Sequence, residues 1–320
     1  MYIKSLQQER DLLQFIQKHH LEKLYGWDNP SGILICQKQN RGWRWQRRDI
    51  RDGHLVTTSL RKSEKTLAEE LAVNLYRMVC IEYIQTQLSS IDSLIREYGS
   101  DVKQEISQSS ILTRVSLEVL LKRVRHCPRK PADFFDSQSP YLPFIVSHLQ
   151  REYAEIIDWY LKDFEQNSDF PEHRVFPVKL GYNVRSKTEV TIADRLFKEG
   201  ILFHYEEKLF PEGDSYPDFT IPMTAIEKYW WEHFGAMDKE NYFHRTKGKI
   251  VNYMDHHMYP GINMITTYET RKHPMTEEQV DQKIRWLKYR YRINFPDLPP
   301  DESFNMYDLV SFVEGKSSGN

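Results

Sequence analysis

The sequence predicts an α/β protein in two parts: a mainly helical N-terminal domain with one small β-hairpin, and a C-terminal domain where helices alternate with short strands. Three observations carry this. Apolar residues recur at the helical period through most of the first 166 residues. Pro171, Pro177 and Gly181 then punctuate the chain. From Glu189 onward short apolar runs of strand length separate helical segments. At 320 residues the chain exceeds what a single core usually fills, and 40% hydrophobic with 13% aromatic content is enough to offset chain entropy. The expected domains are 1–170 and 171–293, with a loosely ordered tail over 294–320.

Leu12, Leu13, Ile16, Leu21 and Leu24 fall near the helical period, and Gly26, Asn29, Pro30 and Gly32 close this opening helix. Ile33 to Ile35, a turn over Gln37 to Gly42, and alternating Trp43 and Trp45 read as a short hairpin. Ser63 and Glu64 cap a long amphipathic helix through Leu67, Leu71, Leu75 and Met78 toward Tyr98. Further helices are expected at 111–126 and 141–166, joined by a connector holding Pro128, Pro131 and Pro140. In the second domain, Glu189 to Lys198 reads as helix. Ile201 to Tyr205, Phe219 to Ile221 and Tyr229 to Trp231 read as strands, Tyr242 to Tyr259 as helix, Gly261 to Thr267 as strand and Glu277 to Tyr291 as a final helix.

A formal net charge of -2 gives no global positive field, so a polyanion would need a local basic patch. Cys36, Cys80 and Cys127 lie far apart without a CxxC pair, which disfavours a disulfide framework or a thiolate zinc site and points to a reducing, cytoplasmic setting. Met1 to Arg10 lacks the apolar core of a signal peptide, and no run of about 18 apolar residues is long enough to span a membrane.

Three carboxylates stand where a metal site could be assembled: Glu189 in Arg-Ser-Lys-Thr-Glu-Val, Asp218 in Tyr-Pro-Asp-Phe-Thr-Ile, and Glu232 in Trp-Trp-Glu-His-Phe-Gly. Asp218 and Glu232 suit adjacent antiparallel strands joined by the Pro222–Glu227 turn. Pro217 cannot donate to a ladder, so it places Asp218 where pairing opens. A carboxylate leaving the Trp230, Trp231 and Phe234 strand is costly unless a metal or partner compensates it. A lone Pro-Asp-Phe or Glu-His pair is usually an ordinary turn or surface carboxylate; the ordered set is more specific. His233, next to Glu232 on a strand, faces the other way. His256 and His257, with His244 upstream, diverge by about 100° per helical residue and read as solvated or capping residues rather than zinc ligands.

Ser-Lys-x-Glu, then Tyr-Pro-Asp-Phe, then Trp-Glu-His-Phe-Gly, a helix with Tyr and Lys, and the Thr-Tyr-Glu strand end resemble bacterial PD-(D/E)XK nuclease-like proteins. The likeness is strongest from Arg185 to Thr270 and extends weakly through Pro30-Ser31-Gly32 and Lys62 to Leu75. It implies a restriction-endonuclease-like core, a mixed β-sheet flanked by helices, in which Glu189, Asp218 and Glu232 bind Mg²⁺ or Mn²⁺. It also implies phosphodiester hydrolysis in nucleic acid, DNA first, in bacterial defence or DNA processing, with a homodimer favoured if both strands are cut. The departure is Phe234, which stands where the family pattern has lysine. Lys249 is the favoured replacement, then Lys187 and Lys247. The alternative is a catalytically silent nucleic-acid-binding or protein-interaction module that keeps the fold.

Two basic stretches admit two readings each. Arg41, Arg44, Arg47, Arg48 and Arg51 with Trp43 and Trp45 could grip phosphates and stack on bases, or form an ordinary exposed face. Lys122 to Lys130, with Arg123, Arg125 and Arg129, is a second phosphate surface or a solvated helix end.

Overall fold

The computed structural model describes residues 2–26, 28–98, 117–124, 127–210 and 215–315. The protein is mixed α/β and folds as two compact units, Met1–Glu152 with Phe295–Asn305, and Tyr153–Asn294 with Met306–Asn320. The N-terminal unit therefore ends earlier than 170, and the chain returns to complete it.

In the first unit, α1 (Tyr2–Leu24) packs beside α2 (Lys65–Tyr98). Leu6, Leu13 and Ile16 meet Ile84, Leu88, Ile91 and Ile95. From Leu71 to Ile81 every residue of α2 is buried, Asn74 and Arg77 included, so this stretch is a central helix and not a surface one. Where a hairpin was expected, three antiparallel strands form: β1 (Ile33–Gln39), β2 (Gly42–Arg51) and β3 (His54–Ser59). The third strand escaped notice because His54, Leu55, Thr57, Thr58 and Ser59 are exposed and carry no alternating apolar signal. Gly32, at φ +95°, precedes this sheet; a Cβ there would lie 2.6 Å from the Arg48 carbonyl oxygen, so the position requires glycine.

Of the helix expected at 111–126, α3 (Leu117–Leu120) is seen; positions 111–116 and 125–126, Arg125 included, lie outside the described residues. The 141–166 helix divides into α4 (Leu142–Glu152) and α5 (Ala154–Leu161), interrupted by Tyr153 at φ -116°, ψ 20°. The loose tail expected over 294–320 is corrected over 294–315, residues 316–320 lying outside the described residues. Phe295, Asp297 and Leu298 are buried, and α9 (Met306–Val313) is helical. Proline and aspartate made 294–305 look like a solvated tail, but Asp297 is an internal anchor: His19 Nε2 bonds its carboxylate at 3.1 Å, and His20, Arg77 and His148 stand 3.9–4.0 Å away.

In the second unit, the stretch punctuated by Pro171, Pro177 and Gly181 is part of the fold, because β4 (Phe176–Pro177) pairs with β5 (Asn183–Val184). Then follow α6 (Lys187–Lys198), β6 (His204–Tyr205), β7 (Phe219–Pro222), β8 (Lys228–Phe234), α7 (Glu240–Asp255), β9 (Met264–Tyr268) and α8 (Glu277–Asn294). The sheet order is β6-β7-β8-β9, antiparallel except for the parallel β8–β9 pair that α7 connects. Trp231, Phe219 and Ile221 are completely buried in it. Among the described residues no helix is long and apolar enough to cross a membrane.

Candidate functional site

Pro217 sets Asp218 one residue ahead of β7, and the β7–β8 register, Phe219 opposite Trp231, brings Asp218 level with Glu232. The two carboxylates thus meet at one end of an antiparallel pair. Asp218 Oδ2 accepts the His233 backbone N–H at 2.6 Å. Burial first, then the charges of Glu232 and Glu189, push the Asp218 carboxyl well above the usual carboxylate range; Lys249 and the His233 N–H offset this only in part. Asp218 is nonetheless half-buried and not sealed, so solvent reaches the site beside it.

Glu232, 3% exposed, points from β8 toward α7. Lys249 Nζ donates to Oε1 at 2.5 Å and Tyr253 O–H to Oε2 at 2.9 Å. Lys249 and Tyr253 stand four residues apart, on one face of the helix. Burial alone would lower the Lys249 pKa, but Glu232 and Asp218 outweigh it and hold the ammonium above its ordinary range. The Lys249 side chain is 38% exposed, so it reaches between buried Glu232 and solvent. Lys187 and Lys247 are exposed and turned outward.

Glu189 has a second job. Ser186 caps α6 by accepting the Glu189 N–H at 3.1 Å, and its hydroxyl donates to Glu189 Oε1 at 2.8 Å. Glu189 Oε2 accepts the Arg185 N–H at 3.0 Å and the Tyr205 hydroxyl at 2.6 Å. Ser186 is therefore the N-cap of α6, and Glu189 reaches back past it to the Arg185 N–H, one residue beyond the reach of a standard capping box. Among the described residues no three histidine, cysteine, aspartate or glutamate side chains form a ready metal cage.

Phe234, two residues beyond Glu232, is 1% exposed and stacks on Tyr268 at 5.3 Å between ring centres, so hydrophobic packing occupies the position where the family pattern has lysine. His233 faces away as expected: Nδ1 meets Thr267 Oγ1 at 3.0 Å and Nε2 stands 3.3 Å from Glu269. Glu269 also accepts from Thr188 Oγ1 and the Met275 N–H, joining the end of β9 to the start of α6.

No protein-family model matches the chain, and neither a curated protein nor a solved structure does.

Sequence reasoning missed Tyr205, Tyr253 and Glu206. Tyr253 was legible at four residues from Lys249. Glu206 was not: it is buried at φ 52°, bonded by Arg174 Nε at 2.9 Å and Arg185 Nε at 2.5 Å, and no spacing links those three positions. In the other unit, the candidate nucleic-acid residues are occupied. Arg44 bonds Ser59, and Arg47 bonds Ser31 and pairs with Asp49. Arg48 bonds Thr57 and the carbonyls of Leu120 and Lys122. Trp45 packs edge-on to Phe144 under Lys62, and Trp43 is half-buried.

Proposed function

We propose that the chain is a metal-dependent nuclease of the PD-(D/E)XK type, hydrolysing phosphodiester bonds of nucleic acid, DNA first, with Asp218, Glu232 and Lys249 at its centre. The single observation that carries this reading is the 2.5 Å contact of Lys249 with Glu232, which supplies from α7 the cation that Phe234 does not. The helix-strand-strand-strand-helix-strand order from α6 to β9 also suits a restriction-endonuclease-like core.

The donor set suits a hard divalent ion. Mg²⁺ takes oxygen ligands and keeps several waters, so one or two carboxylates suffice. Asp218 carries unbalanced negative charge from two neighbouring carboxylates, the condition an ion relieves. Asp218 and Glu232 would hold Mg²⁺ or Mn²⁺, with Glu189 bounding the site through its charge, since its oxygens serve the start of α6 whereas those of Glu232 bond only Lys249 and Tyr253 of the site itself. When bound, such an ion polarises a phosphoryl oxygen and acidifies water. Lys249 orients the attacking water and meets the charge that grows on the phosphorane. Tyr253 fixes the Glu232 oxygen that Lys249 leaves free, and Tyr205 fixes Glu189.

The capping role of Glu189 favours a second reading, a silent module retaining the fold. Plasmid, linear and single-stranded DNA and RNA incubated with Mg²⁺, Mn²⁺ or EDTA separate the two. The nuclease cleaves at least one substrate with metal, and Lys249→Ala loses about 100-fold or more, the scale of one transition-state cation. Absence of cleavage on all of them leaves the silent module.

A further inference from the structure

We infer that the nucleic-acid strand is gripped by a rim of unpaired cations around the carboxylate site, Lys187, Lys239, Arg245, Arg271 and Lys272, rather than by the arginines of β2. This rests on the nuclease reading above and adds to it the surface that holds the substrate backbone. All five side chains are exposed, and among the described residues none makes an ion pair or side-chain hydrogen bond. The β2 arginines differ, since Arg44, Arg47 and Arg48 each bond groups of their own unit.

The fold gathers the five cations at one end of the sheet. Parallel β8 and β9 finish together, Phe234 beside Tyr268. Glu269, just past β9, accepts from Thr188 Oγ1 at 3.3 Å, which sets Lys187 next to that strand end. The Met237 N–H donates to the Glu269 carbonyl at 3.1 Å and the Arg271 N–H to Asp238 Oδ2 at 3.4 Å, so Arg271 and Lys272 flank the entry to α7, where Lys239 is the N-cap. Arg245 lies four residues before Lys249, one helical turn along the same face, at the mouth of the site. Lys247, about 160° around the helix from Arg245, lies off that line.

The acidic groups in this rim are Asp238, Glu240 and Glu269. Asp238 and Glu269 accept hydrogen bonds from the chain, and Glu240 opens α7. Solvated cations around an acidic floor, in a chain of net charge -2, match a phosphodiester backbone, whose charges face the rim while one phosphate meets the carboxylate centre. Tyr268, 45% exposed on β9, adds an aromatic face on which an unstacked base can lie.

The test is binding of fluorescein-labelled single-stranded and duplex DNA by the full-length protein in EDTA, titrated across salt concentrations. Arg245→Ala/Arg271→Ala is compared with wild type and with Lys247→Ala as the control. Two lost phosphate contacts should weaken binding at every sequence and reduce the slope of log affinity against log salt by about 1.4–1.8, while Lys247→Ala leaves both unchanged. Wild-type affinity and slope in the double variant, an equal loss in Lys247→Ala, or no binding by wild type would overturn the rim. Because binding is read without metal, cleavage can fail while the rim stands, and the rim can fail while cleavage stands.

Discussion

Replacing Asp218 with asparagine should stabilise the metal-free protein while abolishing the cleavage proposed for it. The Asp218 carboxyl is pushed up by burial and by the like charges of Glu232 and Glu189, so at neutral pH the folded state holds a carboxylate it would rather protonate. Asparagine keeps an oxygen that accepts the His233 N–H at 2.6 Å and removes the charge. Since solvent reaches Asp218 and Lys249 offsets part of the repulsion, the gain is set at about 1–2 kcal/mol, the usual return from relaxing a functional site. A domain of this size melts roughly 2–8 °C higher for that gain. The sign follows from the direction of the shift. A raised carboxyl costs nothing below its ordinary pKa of about 3.9 and costs in full above its folded value, so the advantage of asparagine opens as pH rises from about 4. Added Mg²⁺ should then raise the melting temperature of wild type and not that of the variant, because only a folded state that binds the ion gains from it. Circular dichroism melts at pH 4 and 7.5, with EDTA or Mg²⁺, read all of this. A variant that melts lower than wild type in EDTA at pH 7.5 refutes the electrostatic argument, and one that still cleaves DNA refutes the assignment of Asp218.

In the first unit, burial pushes the Asp297 carboxyl up, but His148, His19 and the charge of His20 outweigh burial and hold it well below the usual range. Its stabilising contribution is present above about pH 3.9 and is lost as pH falls through the folded value, so the urea midpoints of wild type and Asp297→Asn should converge toward pH 3 and separate at pH 6. Glu206→Ala should cost about 3 kcal/mol, because Arg174 and Arg185 would each lose a buried partner; thermal unfolding reads it, and an unchanged midpoint would show that the cluster contributes little. Phe234→Lys combined with Lys249→Ala should not restore cleavage. The new ammonium would have to leave a site of 1% exposure packed on Tyr268, so soluble yield and melting temperature fall instead, and recovered turnover would show that position 234 can still present a cation to the site.

What was legible in the sequence follows from which interactions are local. The strands around Asp218 and Glu232 showed through because Pro217, the Pro222–Glu227 turn and the apolar runs beside them are read over a few residues, and the structure pairs Phe219 with Trp231 as that spacing requires. Lys249 was legible as a candidate because α7 is a regular helix, and its face follows from counting. The third strand of the small sheet was not, since its exposed polar residues mark neither face, and Asp297 looked like tail because its histidine partners lie some 150 to 280 positions away. Glu189 is the instructive case. Ser-x-x-Glu before an apolar run is equally the signature of a helix cap and of a carboxylate at an α/β cleft, and sequence alone cannot separate them because both need the same residue at the same helix end. The geometry shows the cap, with both oxygens bonded within the chain, while the charge of the same carboxylate still reaches Asp218. A glutamate so held lends its charge to the site without giving up its hydrogen bonds. Glu189→Gln, which keeps the capping oxygen and removes the charge, should therefore leave α6 intact and change only what the charge does.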